Sequence, residues 1–235
     1  MFEPRRALSH RFVYAGDVAS PPMSFAEPFV PRCHGWLGVV KRAMDIIAVT
    51  LALAVLAVPL LVTALLVRWD SPGPALFRQR RIGLHGRPFV MWKFRTMYRH
   101  VHPDCELRQA CRGDPRVTRI GGWLRCRSID ELPQLLNVLR GDMSLVGPRP
   151  HAPGTCAAGQ PFEQVSPRYA ARHRMRPGLT GLAQVRGWRG ETETVNKLLH
   201  RIDSDLEYIE TWSPWLDLAI IARTVVVLVG SRGVY

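Results

Sequence analysis

The chain reads as a small mixed α/β (α+β) globular domain with an amino-terminal membrane helix and amphipathic helices at its carboxy end. Three stretches carry that reading. Ile46 to Val67 is 22 residues long and holds no charge, a length that can cross a bilayer as a straight helix. Ala75 to Ile82 and Pro88 to Met97 are strand-like runs about Gly83-Leu84-His85-Gly86, the pattern of a hairpin. Between Ser128 and Gly141, Leu132, Leu135, Leu136 and Leu139 recur at helical spacing and define one apolar stripe.

Taken in order, residues 1–35 carry five prolines, show no periodicity and lack a signal peptide's apolar region, so a disordered extension is expected. Residues 36–70 hold the apolar helix. Pro59 falls near its middle, and basic residues (Lys41 and Arg42 before, Arg68 after) bracket both ends, so charge gives no orientation. A re-entrant helix that bends at Pro59 and leaves by the face it entered satisfies both facts. A kinked spanning helix is the alternative. Asp70-Ser71-Pro72-Gly73-Pro74 ends the helix.

Residues 71–211 form the globular domain. After the hairpin, whose strands carry Arg78, Arg80, Arg81, Lys93 and Arg95, residues 99–118 are polar and read as loop or short helix. His100, His102, Asp104 and Cys105 there only imitate a metal cluster, because no periodic scaffold supports them. Ala183-Gln184-Val185 reads as a short strand, and Thr192 to Thr211 as a polar helix. Residues 212–235 form an amphipathic interfacial segment, in which Trp212 and Trp215 are placed to sit at a membrane surface.

The central stretch, Trp123 to Pro150, concentrates the chemistry. Ser128-x-x-Glu131 matches a capping box, and Gly141 matches a helix stop. Pro133 is harmless if the helix starts at Asp130. Either start puts Asp130 and Glu131 at a positive helix end, which favours their ionised forms. Arg125 and Arg127 lie upstream, and Arg149 follows on a stiff Gly-Pro-Arg-Pro turn. Each piece alone is commonly a cap or a surface loop. Together they describe a carboxylate pair among arginines, which suits a metal and a phosphate.

Lys and Arg total 32 against 19 Asp and Glu, a net +13, which points to nucleic acid, anionic lipid or phosphorylated substrates. Five cysteines with no C-x-x-C spacing argue against a disulfide framework or zinc site.

With these residues laid out, the chain resembles the bacterial sugar transferases, the polyprenyl-phosphate phosphoglycosyl transferases that initiate exopolysaccharide and glycoconjugate assembly, in their short form. The matching motifs are K-R-A-M-D at 41–45, D-S-P-G-P-A-L-F-R-Q-R-R-I-G at 70–83 and W-K-F-R-T-M at 92–97. R-S-I-D-E-L-P-Q-L-L-N-V-L-R-G-D-M-S-L-V-G-P-R-P at 127–150 and R-P-G-L-T-G-L-A-Q-V at 176–185 complete them. Two places depart from the family's pattern: Val58-Pro59 replaces a Ser-Pro pair, and Gly187-Trp188-Arg189 replaces G-R or G-R-N.

The resemblance implies a monotopic enzyme on the cytoplasmic face of the bacterial inner membrane. It would move a sugar 1-phosphate from a UDP-sugar to undecaprenyl phosphate and release UMP. Asp130 and Glu131 would be catalytic and hold Mg²⁺, with Asp130 the nucleophile. Arg95, Arg125, Arg149 and Arg176 would bind the substrates' phosphates. The implied partners are the two substrates, membrane lipids and downstream glycosyltransferases, with no nucleic acid and a homodimer left open. The rival is a non-catalytic basic membrane-surface protein that recruits polysaccharide machinery.

Overall fold

The computed structural model describes residues 32–98, 113–190, 192 and 194–230. Almost all of the expected extension 1–35, and the His100, His102, Asp104 and Cys105 cluster, lie outside the described residues.

Helix α1, Trp36–Asp70, runs 35 residues and continues through Pro59. Pro59 does not interrupt the helical hydrogen-bonded run. Beyond the proline, the Thr63 hydroxyl donates to the Pro59 carbonyl at 2.8 Å, and Leu60, Ala64 and Val67 are packed on the domain. One face of α1 lies along the globular body over its whole length, with Val49 in one core cluster and Val67 in another. The other face is apolar and exposed, as at Ile47, Leu51, Val55, Val58, Leu61 and Leu65.

Both ends of α1 are fastened to the same body. Lys41 pairs with Asp217 at 2.7 Å. Arg42 donates to the carbonyls of Val138 and Leu139, and Asp45 accepts the Leu145 amide. The charges of the K-R-A-M-D motif are thus all spent on anchoring. At the far end, Asp70 accepts the Ile120 amide, an anion against the first turn of a second helix.

Strands β1, Leu76–Ile82, and β2, Pro88–Phe94, pair antiparallel with Ile82 opposite Pro88, which is the expected hairpin. Helix α2, Arg119–Cys126, is capped by Thr118, whose side chain accepts from Gly121. The expected helix over the central stretch is split in two. Ile129–Glu131 is a turn of 3₁₀ helix, and α3 is Gln134–Arg140 with Pro133 at its N-cap. Ser128 is left-handed (φ 56°) and makes no cap bond, so the capping box does not form. Gly141 ends α3 at φ 91°, a conformation glycine adopts without a Cβ penalty. The stripe also turns: Leu135 and Val138 are buried, whereas Leu136 and Leu139 are exposed.

Strand β3, Ser144–Val146, pairs with a later strand. Between them lie a small hairpin, β4 Cys156–Ala157 with β5 Gln160–Pro161, helix α4, Phe162–Val165, and a 3₁₀ segment, Tyr169–Arg174. Strand β6, Gly178–Thr180, then lies parallel to β3. A Cβ at Gly178 would sit 2.1 Å from the Gly147 nitrogen, so the V-G-P-R-P and R-P-G-L-T-G motifs cross backbone against backbone.

Ala183 to Val185 is helical (α5, Leu182–Val185) rather than a strand, and the strand that pairs with β3 is the preceding β6. Helix α6, Val195–Thr211, is amphipathic and not simply polar: Leu198, Ile202, Leu206 and Ile209 bury one face in the largest core. Helix α7, Pro214–Gly230, buries Asp217 and Ile220 and exposes Trp215, Leu218, Val225 and Val226. Trp212 is only 2% exposed, so it is a core residue and not a surface ring, whereas Trp215 is exposed as expected.

Candidate active site

Asn137, in the middle of α3, fixes the site's geometry. Its carboxamide donates to the Val90 carbonyl at 2.7 Å and accepts the Trp92 amide at 3.0 Å. This amide clamp holds α3 on the edge of β2 and sets Lys93 beside Glu131. Lys93 Nζ lies 3.0 Å from Glu131 Oε1. Arg149, aimed by the Gly-Pro-Arg-Pro turn, grips Glu131 as a two-pronged fork, at 2.5 Å to Oε1 and 3.2 Å to Oε2.

The two adjacent carboxylates therefore meet opposite environments. Burial raises the Glu131 carboxyl, but the charges of Arg149 and Lys93 outweigh it and hold the group below the usual carboxylate range. Burial, then the Glu131 charge, pushes Asp130 up, with Lys93, Arg125 and Arg149 opposing. Among the described residues the Asp130 carboxylate accepts no hydrogen bond. It is buried, ionisable and uncommitted.

The expected cations divide. Arg149 binds the dyad directly. Arg125 donates from Nε to Thr96 at 2.7 Å and contributes charge to Asp130. Arg95 instead donates to the Val67, Ser71 and Pro72 carbonyls at the end of α1, and Arg176 donates from Nε to the Gly141 carbonyl past the end of α3. Both arginines occupy helix ends, where cations are favoured.

Three cations join that sequence reasoning did not assign to the site. Lys93 touches Glu131, and its own charge is disfavoured first by burial. Arg81 is lowered to about 10 by burial and then by the Arg149 charge. Arg189 donates to the Ser128 hydroxyl at 3.2 Å, and burial, then Arg149, disfavours its charge. Cations thus outnumber the two carboxylates, an excess that suits a diphosphate.

Among the described residues no cluster of three metal-ligating side chains exists. Two neighbouring carboxylates alone still match Mg²⁺, which takes one or two protein carboxylates and completes its shell with water and substrate phosphate. Asp130 offers free lone pairs, and Glu131 Oε2 carries a single donor. The donor set fits.

Comparison with known proteins follows the same line. The family model described as bacterial sugar transferase matches residues 36–231. A UDP-glucose:undecaprenyl-phosphate glucose-1-phosphate transferase of Caulobacter vibrioides is 57% identical over 196 residues, covering 83% of this chain and 72% of that protein. An undecaprenyl-phosphate glucose phosphotransferase of Komagataeibacter xylinus is 52% identical over 200 residues, 85% of this chain but 38% of its own length. The exopolysaccharide production protein PSS of Rhizobium leguminosarum bv. phaseoli is 50% identical over 188 residues, 80% of this chain and 94% of its own length. The match runs through the helix, the hairpin, the dyad and the crossing glycine loops alike, and the chain belongs to the bacterial sugar transferase family.

Proposed function

We propose that the chain is an undecaprenyl-phosphate sugar phosphotransferase: it moves a sugar 1-phosphate from a UDP-sugar to undecaprenyl phosphate and releases UMP, the first membrane step of exopolysaccharide or glycoconjugate synthesis. The observation that carries this reading is the uncommitted Asp130 carboxylate beside a Glu131 that is held by Arg149 and Lys93 and keeps lone pairs on Oε2. A carboxylate oxygen of Asp130 attacks the sugar-bearing phosphorus. The bond to that oxygen forms as the bond to UMP breaks, and UMP leaves with the electron pair. An oxygen of undecaprenyl phosphate then attacks the same phosphorus and restores the carboxylate.

Lys93 and Arg149 keep Glu131 ionised and in place. Arg125, Arg81 and Arg189, with Arg149, offset phosphate charge as it builds in the transition state. Asp130 and Glu131 would hold Mg²⁺, which when bound neutralises the diphosphate and improves its leaving group. The helix-end contacts of Arg95 and Arg176 give these two an architectural role.

Placement at the cytoplasmic face of the inner membrane is part of the proposal. Lys41, Arg42 and Asp45 at one end of α1, and Arg95 at the other, bind one domain, which favours both ends lying on one side of the bilayer. The exposed apolar face of α1 then meets lipid, and the site stands where a lipid phosphate meets a soluble donor. Glucose is the first donor to test, since the 57% identical relative is named for UDP-glucose; an Aeromonas hydrophila relative, 40% identical, is named for UDP-N-acetylgalactosamine.

The test incubates the membrane-bound protein with undecaprenyl phosphate and a panel of UDP-sugars, with and without EDTA, and scores UMP. Lipid-dependent UMP release from one donor, lost in EDTA and restored by Mg²⁺, is expected. No release from any donor would contradict the activity, and full turnover in chelator would contradict the metal.

A further inference from the structure

Behind the dyad lies a second ionic cluster that the proposed chemistry does not use. His151, the residue after the Pro-Arg-Pro turn, is 5% exposed and sits between two buried guanidinium groups. Its Nδ1 is 2.6 Å from Arg172 Nη1, and its Nε2 is 3.3 Å from Arg201 Nη1. Arg172 also donates to Asp205 and to the backbone carbonyl of Arg149, at 2.9 and 2.8 Å. Arg201 donates to the carbonyls of Trp188 and Gly190, the residues on either side of Arg189. Phe162 lies edge-on to the imidazole at 4.7 Å between centroids, which leaves the ring little freedom.

A neutral imidazole has one lone pair and one N–H. Two guanidinium donors therefore cannot both be accepted. The shorter contact takes the lone pair, so Nδ1 accepts from Arg172 and the ring proton is on Nε2. Burial, and the charges of Arg172, Arg201 and Arg81 with His173 beyond them, keep the ring neutral; of the acids facing these cations, Asp205 is paired with Arg172 and Glu131 acts on Arg81. Arg201 rests on its two carbonyls instead.

We propose that His151 is a positioning residue for the transfer reaction: through its Nδ1 lone pair it aims Arg172 at the Arg149 carbonyl, and so sets where the Arg149 guanidinium stands over the dyad. Arg201 is packed against its other side, so the ring lies between the Arg149 loop and the turn that carries Arg189. This rests on the function proposed above. It explains a demand that packing alone does not make, namely an acceptor at one ring position and none at the other.

The test exploits that asymmetry. Asparagine in place of His151 offers its oxygen near the Nδ1 position, glutamine reaches the Nε2 position, and phenylalanine fills the space with no acceptor. UMP release with the best donor, UDP affinity and Tm are measured for full-length His151→Phe, His151→Asn and His151→Gln. His151→Phe should lose about 10- to 100-fold in kcat/KM, His151→Asn should recover to within about threefold of the wild type, and His151→Gln should stay with phenylalanine. Equal activity of the asparagine and glutamine variants, wild-type activity of His151→Phe, or losses that merely track Tm would overturn the proposal. If His151→Phe fails to fold, the asparagine–glutamine pair decides alone. A wild type that releases no UMP from any donor contradicts the proposed function instead, and UDP affinity then ranks the variants.

Discussion

Arg149 stands between two ionic clusters that differ in one respect. On its side-chain side, Glu131, Lys93, Arg125 and Arg149 itself act on a carboxylate, Asp130, that accepts no hydrogen bond among the described residues, with Arg81 and Arg189 set against Arg149 and Glu131. On its backbone side, Arg172 and Asp205 form a salt bridge in which both partners are 1% exposed, and their remaining bonds reach His151 and main-chain carbonyls. The inner cluster is closed: its one acid is answered by an arginine, and its arginines are held by carbonyls and one imidazole. The outer cluster is open, with cations in surplus and one acid uncommitted. A closed buried network specifies architecture. An open one, stabilised at a cost to the fold, marks a site that a ligand completes.

The largest effect that separates the two clusters belongs to Asp130→Asn. Removing the nucleophilic anion should lower UMP release by at least about a thousandfold. Tm at neutral pH should hold or rise, because the ionised carboxylate is the disfavoured form in the fold. An active Asp130→Asn would erase the distinction between the clusters.

Asp205→Ala is the opposite case. It leaves Arg172 buried without its acid, which costs about 3–5 kcal/mol, and a Tm drop of several degrees should be seen by calorimetry. An unchanged Tm would show that the inner cluster is not structural.

Arg149→Ala should leave partial activity, down roughly 10- to 100-fold, since Arg125, Arg81, Arg189 and Lys93 share the phosphate charge. A loss as complete as that of Asp130→Asn would assign Arg149 a role the other cations cannot cover.

The pH dependence gives the smallest effect and separates the dyad's two members. The pKa of Asp130 is raised in the fold, so its ionisation is unfavourable there, and the stability carried by its protonated form is lost as pH rises through that raised value. The Tm gain of Asp130→Asn over wild type should therefore shrink on acidification and vanish below the unfolded value of about 3.9. Glu131 has the opposite sign: its depressed pKa contributes stability above the unfolded value, and this is lost as pH falls. Glu131→Gln should lower Tm at neutral pH and converge on wild type in acid. Tm differences of the same sign for both substitutions would contradict the assignment.

Much of this was legible in the sequence where chemistry and local geometry coincide. The hairpin, the helix stop at Gly141 and the adjacent carboxylates are readable because neighbours in sequence are neighbours in space, and Arg149 is readable from its stiff Pro-Arg-Pro turn. What was missed depends on distance along the chain. Lys93 reaches Glu131 across 38 positions, and Arg189 reaches Ser128 across 61, and no local pattern announces either. Leu136 and Leu139 fit the helical period, yet the bodies packed on α3, namely α1 and β2, select Leu135 and Val138 instead. Arg95 and Arg176 carry the expected charge in the expected motifs, and no local pattern announces that each also donates to carbonyls at a helix end. Asp217 is a lone acid in the otherwise apolar run of α7. It is the acid that receives Lys41 and the Tyr208 hydroxyl.

The central claim is that Asp130 becomes covalently bonded to the phosphosugar. Wild-type protein and Asp130→Asn should each be incubated with Mg²⁺ and a UDP-sugar radiolabelled in the sugar, without lipid acceptor, then denatured and counted. Label that stays on the wild type, is discharged by added undecaprenyl phosphate, and is absent from Asp130→Asn is the predicted result. Equal labelling of the two proteins, or none on a wild type that turns over when lipid is supplied, would contradict it.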